Sequence, residues 1–215
     1  MYIWLTGILL FAAFAFFAFA QAASARNGAQ SAADAAALAA AQSARDELMD
    51  GLGDALEAGG GDGDDWLDWL TGDKYKGTDA ATAADQLAAE NDAEVIGGPD
   101  DTEVNGSPGY WVEVRTLYAV GDTIIPGTEN DKAKAHATAV IEPRCDLPTD
   151  VGADPSPTPV PDPDAEGDGD PGADEPEPEP VELVCDGNPV EIDPGDFDPA
   201  DLPDASLLFS VHLAD

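Results

Sequence analysis

Ala18-Phe19-Ala20-Gln21-Ala22-Ala23-Ser24-Ala25-Arg26-Asn27-Gly28-Ala29-Gln30 is where a charge-free apolar run becomes an alanine-rich stretch, with no turn signal between them. Upstream, Ile3 to Ala20 carries no charge, and only Thr6 and Gly7 interrupt its apolar character. With Ala22 and Ala23 the run reaches the ~20 residues that cross a bilayer core. Tyr2 and Trp4 at its start suit a membrane interface. Residues 1–25 are therefore predicted to be a transmembrane anchor, retained in the mature chain. The rival reading is a cleaved secretory signal, for which Ala18-Phe19-Ala20 and Ala23-Ser24-Ala25 both supply a small-x-small site. No Lys or Arg precedes the run, which disfavours a signal peptide.

Downstream, residues 26–58 continue the helix. Along the i, i+4 rows, Gly28, Ala32, Ala36 and Ala40 form one line and Ala29, Ala33, Ala37 and Ala41 the next. Two adjacent rows of small residues let another helix approach closely, so this is the predicted helix-packing face. Alanine also has the highest helix propensity. Leu48, Met49, Leu52 and Leu56 extend the pattern, Gly51 and Gly53 could interrupt it, and Gly59-Gly60-Gly61 ends it. An unbroken helix from Ile3 to Ala58 would be about 80 Å long.

Residues 59–145 read as a helical section and a small antiparallel sheet. Trp66, Trp69 and Leu70 share one helical face and are expected to dock on a core. Thr78-Asp79 can cap a helix over about Ala80 to Asn91. Gly97-Gly98-Pro99 and Gly106-Ser107-Pro108-Gly109 read as turns. Tyr110 to Tyr118 and Ala133 to Ile141 read as long strands, Thr123-Ile124-Ile125 as a further apolar piece, and Ala93 to Ile96 as a short strand. Residues 146–180 are dominated by Pro, Asp and Glu and cannot bury enough apolar surface to offset their ordering entropy, so a disordered loop is expected there. In residues 181–215, Val181 to Cys185 and Ser206 to Leu213 read as strands returning to the sheet. The predicted fold class is thus α+β: a long N-terminal helix, short helices, a small antiparallel sheet and an acidic Pro-rich loop, pilin-like in outline.

Composition limits function. Eight cations face 45 acids, a formal charge of -37, and no Lys or Arg follows Arg144. Nucleic acid is excluded as a partner, since phosphate binding needs a basic surface. The same charge repels anionic headgroups, so the body is expected to stay off the membrane surface. Cys145 and Cys185 form no metal-binding cluster. Each borders an ordered segment, so a disulfide across the acidic loop is expected in an exported protein, the alternative being two unpaired thiols. His136 and His212 read as ordinary sheet residues. No catalytic, nucleotide-binding or cofactor motif is present, so no catalytic or metal residue, cofactor or small-molecule substrate is assigned. Asp164 to Glu175 places acids at positions 1, 3, 5, 7 and 12 of a calcium-loop pattern, with Gly169 at position 6. Pro171 at position 8 and the lack of flanking helices argue against specific calcium binding and leave weak, diffuse cation association.

The N-terminal pattern, above all Arg26-Asn27-Gly28-Ala29-Gln30 and Ala32-Ala33-Asp34-Ala35-Ala36-Ala37-Leu38-Ala39 after the apolar run, resembles the TadE/TadG-like proteins of the tight-adherence (Flp-type) pilus-assembly system, particularly the actinobacterial ones. Val112 to Arg115, Ala137 to Cys145 and Leu208 to Asp215 look like the body of such proteins. Two features depart from the wider system. Gly7 lacks the Glu five residues on that marks a processed pilin, and the D-x-S-x-S metal motif of longer TadG-type proteins is missing. The resemblance implies a minor, non-enzymatic, single-pass subunit in the cell membrane, its body extracytoplasmic, with other pilus or secretion-machine subunits as partners. Arg26 on the body side would alone put the body in the cytoplasm; acidity and resemblance put it outside. The alternative function is a signal-cleaved, secreted acidic binding protein with weak cation association.

Overall fold

The computed structural model describes residues 2–58, 65–72, 74–75, 77–119, 130–146, 180–193, 196–198 and 202–214. The Gly59-Gly60-Gly61 break, the piece around Ile124, almost all of the acidic loop and the calcium-loop pattern lie outside them. The fold is α+β. Helix α1 runs unbroken from Tyr2 to Glu57, through Gly51 and Gly53. The chain forms two compact units: Met1–Glu47 with Tyr75–Glu142 and Val211–Asp215, and Leu48–Lys74 with Pro143–Ser210. α1 supplies a segment to each.

In the first unit, α3 (Ala80–Glu90) leads into strands β1 (Ala93–Val104), β2 (Ser107–Ala119) and β3 (Lys132–Pro143). With β7 (Phe209–Leu213) they form a sheet of order β1-β2-β3-β7, its first three strands antiparallel. Its buried face follows from period-2 alternation. Tyr110, Val112, Val114 and Thr116 of β2 stand opposite Ala139, Ala137 and Ala135 of β3, with Ala133 beyond. The alanines make this face shallow on β3, and α1 uses the space: Ala25 and Ala29 pack on Ala133, with Ala135 alongside. α3 lies against β1, burying Ala80, Ala84 and Ala88. Where β2 and β3 slip register between Arg115 and Ala119, the buried Thr116 hydroxyl replaces a backbone partner. It accepts from Ala133 N at 3.1 Å and donates to Tyr118 O at 2.8 Å.

Several local expectations change. Gly97-Gly98-Pro99 is not a turn but an irregular stretch inside β1, with register shifts on both sides of Gly97. Gly98 has φ +81, and a Cβ there would strike the Trp111 carbonyl oxygen, so the stretch needs glycine. Pro99 is tolerated because β1 is an edge strand of this sheet. β1 therefore spans 12 residues rather than ending at Ile96. The β1–β2 turn is Asn105-Gly106, both at positive φ, and Ser107-Pro108-Gly109 already belong to β2. Asp79 stands at the N-cap of α3, but its side chain makes no capping bond.

In the second unit, α1 ends with Leu48, Leu52 and Leu56 buried. Helix α2 (Asp65–Leu70) buries Trp66 and Leu70 and lays Trp69 against Gly51, where a Cβ would meet the indole ring. This contact explains the glycine at that turn of the helix. β4 (Cys145–Asp146), β5 (Val181–Cys185) and β6 (Asn188–Ile192) form a three-stranded sheet of their own. The strand at Val181 thus does not rejoin the first sheet; of the C-terminal elements β7 does. β5 and β6 turn at Asp186-Gly187, again with two positive φ values. Ala205–Leu208 is the short helix α4, capped by the Asp204 side chain on Ser206 N, and only from Phe209 does the chain extend.

Candidate functional site

The N-terminal part of α1 exposes side chains that a water-soluble fold would cover. Trp4, Phe11, Phe14, Phe16, Phe17 and Phe19 are each more than half exposed, and Trp4 reaches 80%. Apolar surface left in water costs roughly 25 cal/mol per Å². The one hydroxyl in the run, Thr6, donates to the Tyr2 carbonyl at 3.0 Å, so its polarity is satisfied within the helix. The helix is long and apolar enough to cross a membrane.

The small face begins where this exposure ends. Ala29, Ala32, Ala33, Ala36, Ala37, Ala40 and Ala41 are all fully buried within the chain, and Gly28 is partly buried. Gly28 lies against the Tyr118 hydroxyl. Next to it, Gln30 Nε2 donates to His136 O at 3.3 Å and to Asp34 Oδ1 at 2.7 Å. One face of α1 is thus seated over residues 25–44 while the preceding turns remain bare.

Farther along, the Glu47 carboxylate accepts the Thr78 backbone N–H at 3.1 Å through either oxygen. Close by, Tyr110 is only 2% exposed, and among the described residues its hydroxyl has no hydrogen-bond partner. Tyr75 meets its ring edge-on at 5.9 Å between centroids. Burial, then Tyr75 and the carboxylates Asp101 and Glu47, push the Tyr110 phenol well above the usual tyrosine range. Burial and Asp101 raise Tyr75 as well. Such groups stay protonated at neutral pH.

Cys145 and Cys185 face each other in register and are joined by a disulfide. Arg144 braces the pair. Its N–H donates to Leu208 O at 2.8 Å, its carbonyl accepts Asp186 N at 2.9 Å, and its guanidinium reaches Ser206 O and the Asp186 carboxylate. The bridge closes the acidic segment at its base. Sequence reasoning passed over Arg144, although its position beside a cysteine was the available signal.

Among the described residues no group of three or more His, Cys, Asp or Glu side chains could hold a metal. His136 stacks on Trp111 at 6.0 Å, as a sheet-face residue does. A cleft of about 190 Å³ in the second unit is lined by Leu56, Phe197 and Leu202 with Glu191, Asp193 and Asp196.

What the geometry defines is an α+β chain whose one long helix has apolar, uncovered first turns. Residues 2–43 match the family model described as putative Flp pilus-assembly TadE/G-like, so over this segment the chain is similar to that family. The match takes in the bare apolar turns and most of the seated small face, and it stops just before α1 enters the second unit at Leu48. No curated protein and no solved structure matches the chain significantly.

Proposed function

We propose that this chain is a single-pass envelope protein serving a Tad/Flp-like pilus or secretion machine as a minor, non-enzymatic subunit or assembly factor. The observation that carries the reading is the coincidence of the TadE/G-like match over residues 2–43 with an uncovered, membrane-length apolar segment. Tyr2 to Ser24 anchors the body in the membrane, and the body is extracytoplasmic. The disulfide supports that side, because such bonds persist in oxidising compartments. The small face from Gly28 to Ala41 holds α1 on the chain's own fold. The surface left for neighbouring anchor helices is therefore the stretch before Ala25.

Fractionation of the native cells into sheared surface filaments, membrane and medium, with the intact mass of the protein in each, tests this. Full-length protein in membrane or filaments is expected, and its division between them separates assembly factor from filament subunit. Protein only in the medium, beginning near Gln21 or Arg26, would mean a cleaved signal and the secreted acidic binding protein instead.

A further inference from the structure

The acidic composition predicts a body held off the membrane, but one end of the first sheet is unlike the rest. Ala25 and Ala29 pack on Ala133, Gly28 touches Tyr118, and Gln30 reaches His136 O. Numbers therefore rise together along α1 and β3, and the start of β3 and the end of β2 lie nearest the apolar turns. A hydrocarbon core of about 30 Å takes about 20 residues, so a span beginning at Ile3 ends near Ala22. The level of Ala25 to Gly28 then falls about 5–9 Å farther out, in the headgroup layer.

The residues at that level suit a headgroup layer. Leu117 and Tyr118, adjacent at the end of β2, are 50% and 40% exposed. Tyrosine is a residue of membrane interfaces. Arg26, Arg115, Lys132 and Lys134 stand at the same end, half of the chain's eight cations. Arg26, Lys132 and Lys134 are exposed. Among the described residues the acids there are Asp92, Glu94 and Asp131. Glu94 is occupied by Arg115 at 2.9 Å and Lys132 at 3.9 Å. Long basic side chains can lie along apolar surface with their charge at the phosphates.

We propose that this end of the sheet, Leu117 and Tyr118 with Arg26, Lys132 and Lys134, rests in the headgroup layer of the bilayer that holds the anchor. The proposal depends on the anchor reading above and goes beyond it: the body docks on the lipid surface instead of swinging on a bare helix. The docking fixes the tilt and height at which the subunit is presented to its neighbours.

Spin labels at Phe14→Cys, Leu117→Cys and Glu103→Cys test it, one per chain, the native cysteines being joined. The full-length protein is placed in nanodiscs of phosphatidylcholine with phosphatidylglycerol. Collision rates with oxygen and with a water-soluble nickel chelate report depth. The expected result is a deep label at 14, a fully wet label at 103, and at 117 a nickel collision rate severalfold below that at 103. A label at Lys134→Cys should repeat the reading at 117, which guards against a local effect of removing Leu117. Labels at 117 and 134 as wet as 103, with 14 deep, would overturn the docking and leave the anchor standing. A wet label at 14 would overturn both.

Discussion

Gly28 of the long helix lies directly against the hydroxyl of Tyr118, so that a methyl group on Gly28 would occupy the oxygen's place. The phenol is partly exposed and can swing away, whereas a longer side chain has to displace the strand end. Gly28→Ala is expected to change stability by less than about 1 kcal/mol, because gained helix propensity offsets the displaced ring. Gly28→Leu is expected to cost about 1–3 kcal/mol. Tyr118→Ala in the Leu background should recover much of that loss, a coupling readable by a double-mutant cycle in chemical denaturation.

Thr116 is fully buried, and its hydroxyl serves two backbone groups at the register slip of β2 and β3. Thr116→Val keeps the shape and leaves the Ala133 N–H and the Tyr118 carbonyl without that partner. Leaving a buried donor unmet costs about 1–3 kcal/mol. Faster amide exchange at Ala133, together with a lowered denaturation midpoint, is the expected signature. An unchanged exchange rate there would show that the hydroxyl is dispensable.

The bridge between Cys145 and Cys185 joins residues 40 apart. Closing a loop of that length stabilises by about 4 kcal/mol in the chain-entropy treatment. The double variant Cys145→Ser/Cys185→Ser should therefore lose order chiefly in the β4–β5–β6 sheet, where β4 is only two residues long. Protease nicking near Val181 under native conditions is the readout. Non-reducing mass of the exported wild type should lack two hydrogens relative to the reduced chain.

Tyr110 sets an alkaline limit. Its folded pKa is raised above the ordinary value of 10.0 by burial and neighbouring groups. The unfolded chain therefore ionises first. The stabilisation is fully present below about pH 10 and is lost as pH rises from there through the folded pKa. Tyr110→Phe should leave stability at neutral pH within about 1 kcal/mol, since among the described residues the hydroxyl has no hydrogen-bond partner to lose. It should flatten the fall in thermal midpoint above pH 10. An equally steep fall in the Phe variant would assign the alkaline limit to other groups.

How much was legible depended on the range of the interaction. The apolar run and the alanine rows are local patterns, and they specify one continuous helix because alanine needs no partner to favour it. The alternating stretches at Tyr110 and Ala133 announced β2 and β3 for a similar reason. Turns were legible in principle and misplaced in practice: Asn105-Gly106 and Asp186-Gly187 carry the left-handed pairs that two-residue hairpins require. Gly97-Gly98-Pro99 carries turn residues yet lies within a strand, because an edge position tolerates both the irregularity and the proline.

The sequence by itself determined that the chain has a membrane-length apolar helix, a small-residue face, strands of alternating pattern and a cysteine pair poised to bridge. Each rests on contacts within a few residues or on composition. Only the tertiary structure decided what covers the small face, which cations gather at one end of the sheet, that Trp69 lies over Gly51, and that Val181 to Ile192 builds a separate sheet. Those outcomes turn on shape complementarity between segments up to about a hundred residues apart, such as Gly28 with Tyr118 and Gln30 with His136. Side-chain type along the chain does not encode such meetings until the backbone has brought the surfaces together.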